Sequence, residues 1–182
     1  MRWFLALMIP IIVVLAPAEA KQGDERLEPF FRELRISENP TSIRAAEQHI
    51  WRIWLESGSD TVDLLMGQAL RAMNKNDPDK AIKRLTSIVD MAPDYAEGWN
   101  KRATVYYMIG AYDRSVQDII KTLELEPRHF GALSGLGLIY DAIDNKAGAL
   151  KAYRRALAVH PHLAHPRARV DVLKKAKKDG NI

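Results

Sequence analysis

Cysteine is absent from the 182 residues, which excludes a disulfide scaffold, thiolate-bound zinc, an iron–sulfur cluster and a cysteine nucleophile. Glycine and proline are sparse, at ten and nine, too few for a collagen-like or linker-dominated chain. An excess of one charge is lacking too: 27 Lys plus Arg face 23 Asp plus Glu. The resulting +4 is too mild to imply nucleic acid unless it is concentrated in one place. No Gly-x-Ser-x-Gly, His-Glu-x-x-His, Walker or dinucleotide-binding glycine pattern occurs. Gly131, Gly135 and Gly137 lie inside a helical stretch and do not form a phosphate loop. What is present is 47% apolar and 27% charged residues, sufficient for a buried core. The composition therefore describes a packed, non-catalytic domain with no cofactor or metal expected.

Long hydrophobic runs are also scarce, and the one that exists is N-terminal. Residues 1–20 read MRWFLALMIPIIVVLAPAEA, with Arg2 as a basic start and an apolar run from Phe4 to Ala16. Small residues at Ala16, Ala18 and Ala20 complete the three-part form of a secretory signal peptide, cut after Ala20. A retained anchor is the alternative, but the run falls short of the ~20 residues a spanning helix needs. Export to a periplasm, or secretion, is the expected localisation. A disordered stretch, 21–27, would follow the cut. All the net charge of the mature chain falls in 165–182, through Arg167, Arg169, Lys174, Lys175, Lys177 and Lys178.

The body repeats itself. Shifting the chain by 34 residues aligns 62–95, 96–129 and 130–163 without a gap. Leu65, Trp99 and Leu133 share a column, as do Ala69, Ala103 and Gly137, and Leu85, Ile119 and Tyr153. Pro93, Pro127 and Pro161 close each repeat. Within a repeat, apolar residues recur at steps of three and four in two runs, such as Trp99, Ala103 and Tyr106, then Val116, Ile119, Ile120 and Leu123. Each repeat is thus two amphipathic helices, joined at Asp77-Pro78, Gly110-Ala111 and Asp144-Asn145. The small column marks where two helices cross closely, and a larger side chain there would overpack. Residues 28–61, with Asn39 as N-cap of a helix over 41–56, read as a degenerate repeat capping the array. His165-Pro166 opens a C-terminal capping helix within 164–182, running to about Lys178.

This pattern resembles the tetratricopeptide repeat family, W-x2-L-G-x2-Y followed by A-x3-F, A and P. Gln68 and Arg102 depart from it, standing where the family has Leu, and Ser115 replaces its small Ala. The resemblance implies an all-α helix-turn-helix solenoid whose first helices line a concave groove for a protein or peptide partner. Carrying the inward columns over gives Asp63, Met66, Leu70 and Met73 in the first repeat. The second contributes Glu97, Asn100, Lys101, Thr104 and Tyr107, and the third Ser134, Leu138 and Asp141. Flexible apolar side chains on that face suit peptide binding. The family's carboxylate clamp needs Lys and Asn where Met66 and Leu70 stand, so a chaperone tail is disfavoured. A scaffold or adaptor in the cell envelope is the expected function, with neither nucleic acid nor a membrane span implied. The alternative is docking on anionic lipid or polymer through the basic tail.

Histidines invite a metal reading only at His160, His162 and His165, and two proline-flanked turns and a helix start account for that spacing. His49 and His129 are expected to be isolated and partly exposed, at helix ends or in the groove.

Overall fold

The computed structural model describes residues 24–178, so the leader read over 1–20 lies outside the described residues. Nine α-helices follow one another among them. They are α1 (Leu27–Ile36), α2 (Pro40–Leu55), α3 (Asp60–Asn74), α4 (Pro78–Met91) and α5 (Ala96–Met108), then α6 (Tyr112–Leu125), α7 (Phe130–Ala142), α8 (Lys146–Val159) and α9 (Ala164–Lys178). Asp77 opens α4 by accepting a hydrogen bond from the Lys80 N–H at 3.1 Å, and Asn145 opens α8 through the Gly148 N–H at 2.9 Å. Each hairpin turns through one left-handed residue in the same column: Asn76 at φ 53°, Gly110 at 74° and Asp144 at 55°. Only Gly, Asn and Asp take that conformation readily, which is why these three types recur there.

The pairs α3–α4, α5–α6 and α7–α8 stack into an array of first and second helices, with α4 against α5 and α6 against α7. Leu85 and Ile88 of α4 are fully buried among Val62, Ala69 and Ala72 of α3. The crossing column is size-matched to its partner: Ala69 faces Leu85 and Ala103 faces Ile119, whereas Gly137 faces Tyr153. A Cβ at Gly137 would lie 2.3 Å from the Tyr153 ring, so the larger partner forces the smaller residue. Gly137→Ala is therefore expected to cost ~1–3 kcal/mol by thermal denaturation. Adding Tyr153→Leu, the pairing the first repeat uses, should recover part of that loss; no recovery would refute the size-matching.

Two of the departures from the family pattern, Arg102 and Ser115, are compensated by polar bonds between helices. Arg102 forks onto Asp118 at 2.8 and 2.9 Å and lies over the Trp99 ring, tying α5 to α6. Ser115, fully buried, donates its hydroxyl to the Ala103 carbonyl at 2.7 Å. Ile120 does not join the apolar stripe of α6 and is 52% exposed; Asp118 and Thr122 turn inward instead.

The N-terminal segment departs from its expected place. Helices α1 and α2 pair with each other, but they do not extend the stack as a terminal repeat, and α2 makes scarcely any contact with α3. The pair instead folds across the array, α2 against α5 and α1 against α8. The reason is the width of its apolar surface. Phe31, Ile50 and Trp54, with Trp51 beside them, form an aromatic slab that meets Phe130, Val159 and Leu163 from the far end of the array. The reversal happens at 56–59, where Gly58 takes φ 77° and Ser57 is buried. The expected disorder of 21–27 fails from Asp24 onward, because Arg26 pairs with Asp24 at 2.6 Å and with Glu56 at 2.8 Å.

Candidate functional site

The first helices α3, α5 and α7 present the inward columns, and α2 divides that surface in two. At the N-terminal ends of α5 and α7 the face is closed. Trp51 packs so tightly over Gly131 that a Cβ there would meet its ring at 2.6 Å. Lys101 lies over the same indole, 5.1 Å from the ring centroid. Trp54 stacks on His129 at 4.1 Å and 10°, and the Tyr95 hydroxyl donates to the Leu55 carbonyl at 3.0 Å.

Beneath this slab is a buried polar hub. The His129 Nδ1 accepts the Ala132 N–H at 3.1 Å, so the neutral ring carries its proton on Nε2 and donates to Glu97 at 2.9 Å. Asn100 donates to the same carboxylate at 2.9 Å, and the Lys101 ammonium sits 2.8 Å from its other oxygen. Burial alone would raise the Glu97 pKa, but the bonds from His129 and Lys101 outweigh it and hold the carboxyl below its ordinary range.

Four groove assignments change. Met66 is 3% exposed and belongs to the core cluster of α3, α4 and α5. Glu97 and Asn100 are buried in the hub and cannot touch a ligand while α2 is docked. Lys101, the fourth, is committed to Glu97. His129, expected to be isolated and partly exposed, is wholly buried at the centre of the interface. Its column was the available signal: the equivalent Tyr95 is buried as well, in the first repeat's core.

The other half of the face is open. Leu70, Met73, Tyr107 and Leu138 are half-buried and Thr104 is exposed, all at matching columns toward the C-terminal ends of the first helices. Tyr107 stands against Tyr112, with ring centroids 5.8 Å apart. Beyond them the turns leave Met108, Ile109 and Ile143 exposed, at 53%, 47% and 53%. Apolar side chains thus run from the open half over its rim.

The remaining assignments are engaged within the fold. Asp63 accepts from the Ser57 N–H at 3.1 Å and hydroxyl at 2.5 Å, fixing the reversal before α3. Ser134 donates to the Phe130 carbonyl at 2.7 Å. Asp141 takes a fork from Arg169 at 2.8 and 2.9 Å and the Tyr153 hydroxyl at 2.9 Å. The Arg169 bonds hold its carboxyl below the ordinary range despite partial burial. His160 is buried edge-on to Phe130 with the His162 ring 6.2 Å away, whereas His165 is exposed against Tyr153.

Comparison with known proteins matches the tetratricopeptide repeat model at residues 66–120 and 112–164. A TPR repeat-containing protein of Rhizobium etli is 38% identical over 137 residues, covering 75% of this chain and 67% of that protein. Small glutamine-rich tetratricopeptide repeat-containing protein 2 of Saccharomyces cerevisiae is 29% identical over 57% of this chain, which spans only 30% of it. Among solved structures, the first TPR of Spaghetti (RPAP3), bound to the HSP90 peptide SRMEEVD, superposes with a TM-score of 0.63 at 20% identity. That match covers 66% of this chain and 95% of the neighbour.

Proposed function

This chain belongs to the tetratricopeptide repeat family, and we propose that it is a non-catalytic interaction scaffold holding a protein partner in the open half of its concave face. The observation that carries the reading is the apolar surface that α2 leaves uncovered, Leu70, Met73, Tyr107 and Leu138 with the exposed rim at Met108, Ile109 and Ile143. Such continuous apolar exposure on a folded domain marks an interaction site. The partner contributes an apolar segment. A terminal carboxylate of the kind a clamp holds meets no cation at Met66, which is buried, or at Leu70, which is apolar. The signal-like residues 1–20 support work in the cell envelope, with the mature chain beginning at Lys21.

A photo-crosslinking amino acid at exposed Thr104 tests both parts in intact cells. It is expected to trap a discrete protein from the envelope fraction, while the same group at exposed Gln117 on α6 traps none. The uncrosslinked protein from that fraction should have an intact mass starting at Lys21. Thr104→Arg should reduce recovery of the partner at least tenfold without changing helical content, as truncating or blocking a binding hot spot does. Equal yields from Thr104 and Gln117 would dismiss the groove, and a full-length cytoplasmic form would dismiss export.

A further inference from the structure

The positive charge of this chain is concentrated more sharply than a basic tail. Helices α8 and α9 carry ten Lys and Arg against one Asp, whereas residues 24–145 carry fifteen against twenty acidic residues. Packing of α9 on α8 through Leu150, Tyr153, Val170 and Leu173 merges the two sets of cations into one surface. A cleft of about 610 Å³ opens on that surface, with buried Leu150 as its apolar floor and the exposed Ala147 and Ala158 beside it. Its rim is Lys151, Arg154, Arg155 and Lys177, and no acidic side chain of the described residues lines it. Several cations elsewhere are matched, among them Arg102 with Asp118, Arg128 with Glu28 and Arg169 with Asp141. The four rim cations have no ion-pair or hydrogen-bond partner among the described residues.

Four like charges that meet no acidic partner among the described residues, set around one recess, create a positive potential that an anionic ligand relieves. We propose that this cleft is a second interaction site, which takes an acidic, amphipathic polypeptide segment with carboxylates on the rim and an apolar side chain on the floor. The planar forks of Arg154 and Arg155 suit carboxylates, which they bind through two parallel hydrogen bonds. Lys151 and Arg155 are one turn apart, about 6 Å along α8. That matches the roughly 6.6 Å between same-face side chains of an extended chain. The recess is what favours a polypeptide over a membrane, since a plane of headgroups meets the rim cations but leaves the apolar floor uncovered. The cleft lies on the last second helix and the helix after it, away from the first helices of the concave face, so both sites can be filled at once.

The test uses the full chain and a fluorescent ten-residue peptide alternating Glu and Leu, with Gln–Leu and Glu–Gly peptides of equal length as comparators. By anisotropy, the Glu–Leu peptide should bind at least tenfold tighter than the Gln–Leu peptide and several-fold tighter than the Glu–Gly peptide. Arg154→Glu with Arg155→Glu should weaken it at least tenfold, and Arg154→Gln with Arg155→Gln at least fivefold. Lys174→Glu with Lys175→Glu, the same charge change outside the cleft, should weaken it less than threefold. Circular dichroism of each variant should be unchanged, because all four positions are exposed. Equal losses from the two Glu pairs, or equal binding of the Gln–Leu peptide, would overturn the proposal. So would retention on vesicles of phosphatidylglycerol and phosphatidylcholine that excess Glu–Leu peptide fails to compete, which would make the cationic face a lipid-binding one.

Discussion

Replacing Trp54 by alanine is expected to destabilise the protein by about 3–5 kcal/mol, the range for removing a large buried aromatic side chain. Trp54 is 8% exposed, stacks on His129 and packs against Phe31 and Phe130 at centroid distances of 6.0 and 5.1 Å. Its removal opens a cavity that both the α1–α2 pair and the array would have to fill, and neither has a spare side chain there. Thermal denaturation should remain a single transition at lower temperature, because α1 and α2 share the cluster that contains Phe130. A loss below about 1 kcal/mol would show that α2 does not dock on the array. Two separated transitions would show that the pair is a detachable lid over an otherwise independent groove.

A loss of comparable size follows from Glu97→Ala. The carboxylate is the shared acceptor for His129 and Asn100 and the counter-charge of Lys101, all under the indole of Trp51 or Trp54. Removing one member of a buried charged pair leaves its partners uncompensated, at about 3–5 kcal/mol. Glu97→Gln keeps an oxygen for His129 and loses only the charge, so it should cost less. The double variant Glu97→Ala with His129→Ala should fall clearly short of additive, since both changes break one network.

Acid titration supplies an independent check on the same hub. A carboxyl held below its ordinary value of 4.5 stabilises the fold above that pH, and the contribution is lost as the pH falls through the lower, folded value. Glu97→Gln should flatten that part of the stability curve. A milder loss begins nearer pH 6.5, where burial keeps His160 neutral in the fold although Glu47, 3.4 Å away, favours its charged form. The unfolded chain then binds the proton that the folded chain refuses, so stability declines as the pH drops.

The sequence alone determined the repeating unit, because helix period, turn chemistry and proline breaks are local. The 34-residue shift placed Ala69, Ala103 and Gly137 in one column, and the structure buries all three. Ile43, Ile50 and Trp54, spaced by seven and four, give α2 an apolar stripe that is equally local. The local pattern could not say what that stripe covers. An amphipathic face records that burial occurs, not its partner, and Trp54 with His129 or Trp51 with Gly131 are pairs distant in the chain. Only the tertiary structure decided that α2 lies in the groove, which turned Glu97 and Asn100 from ligand contacts into a buried hub and left Leu70, Thr104 and Tyr107 as the accessible half. The cationic cleft has the same origin: the charges of α8 and α9 are legible one by one, but they become one site only because α9 folds back onto α8 to bury Val170 and Leu173.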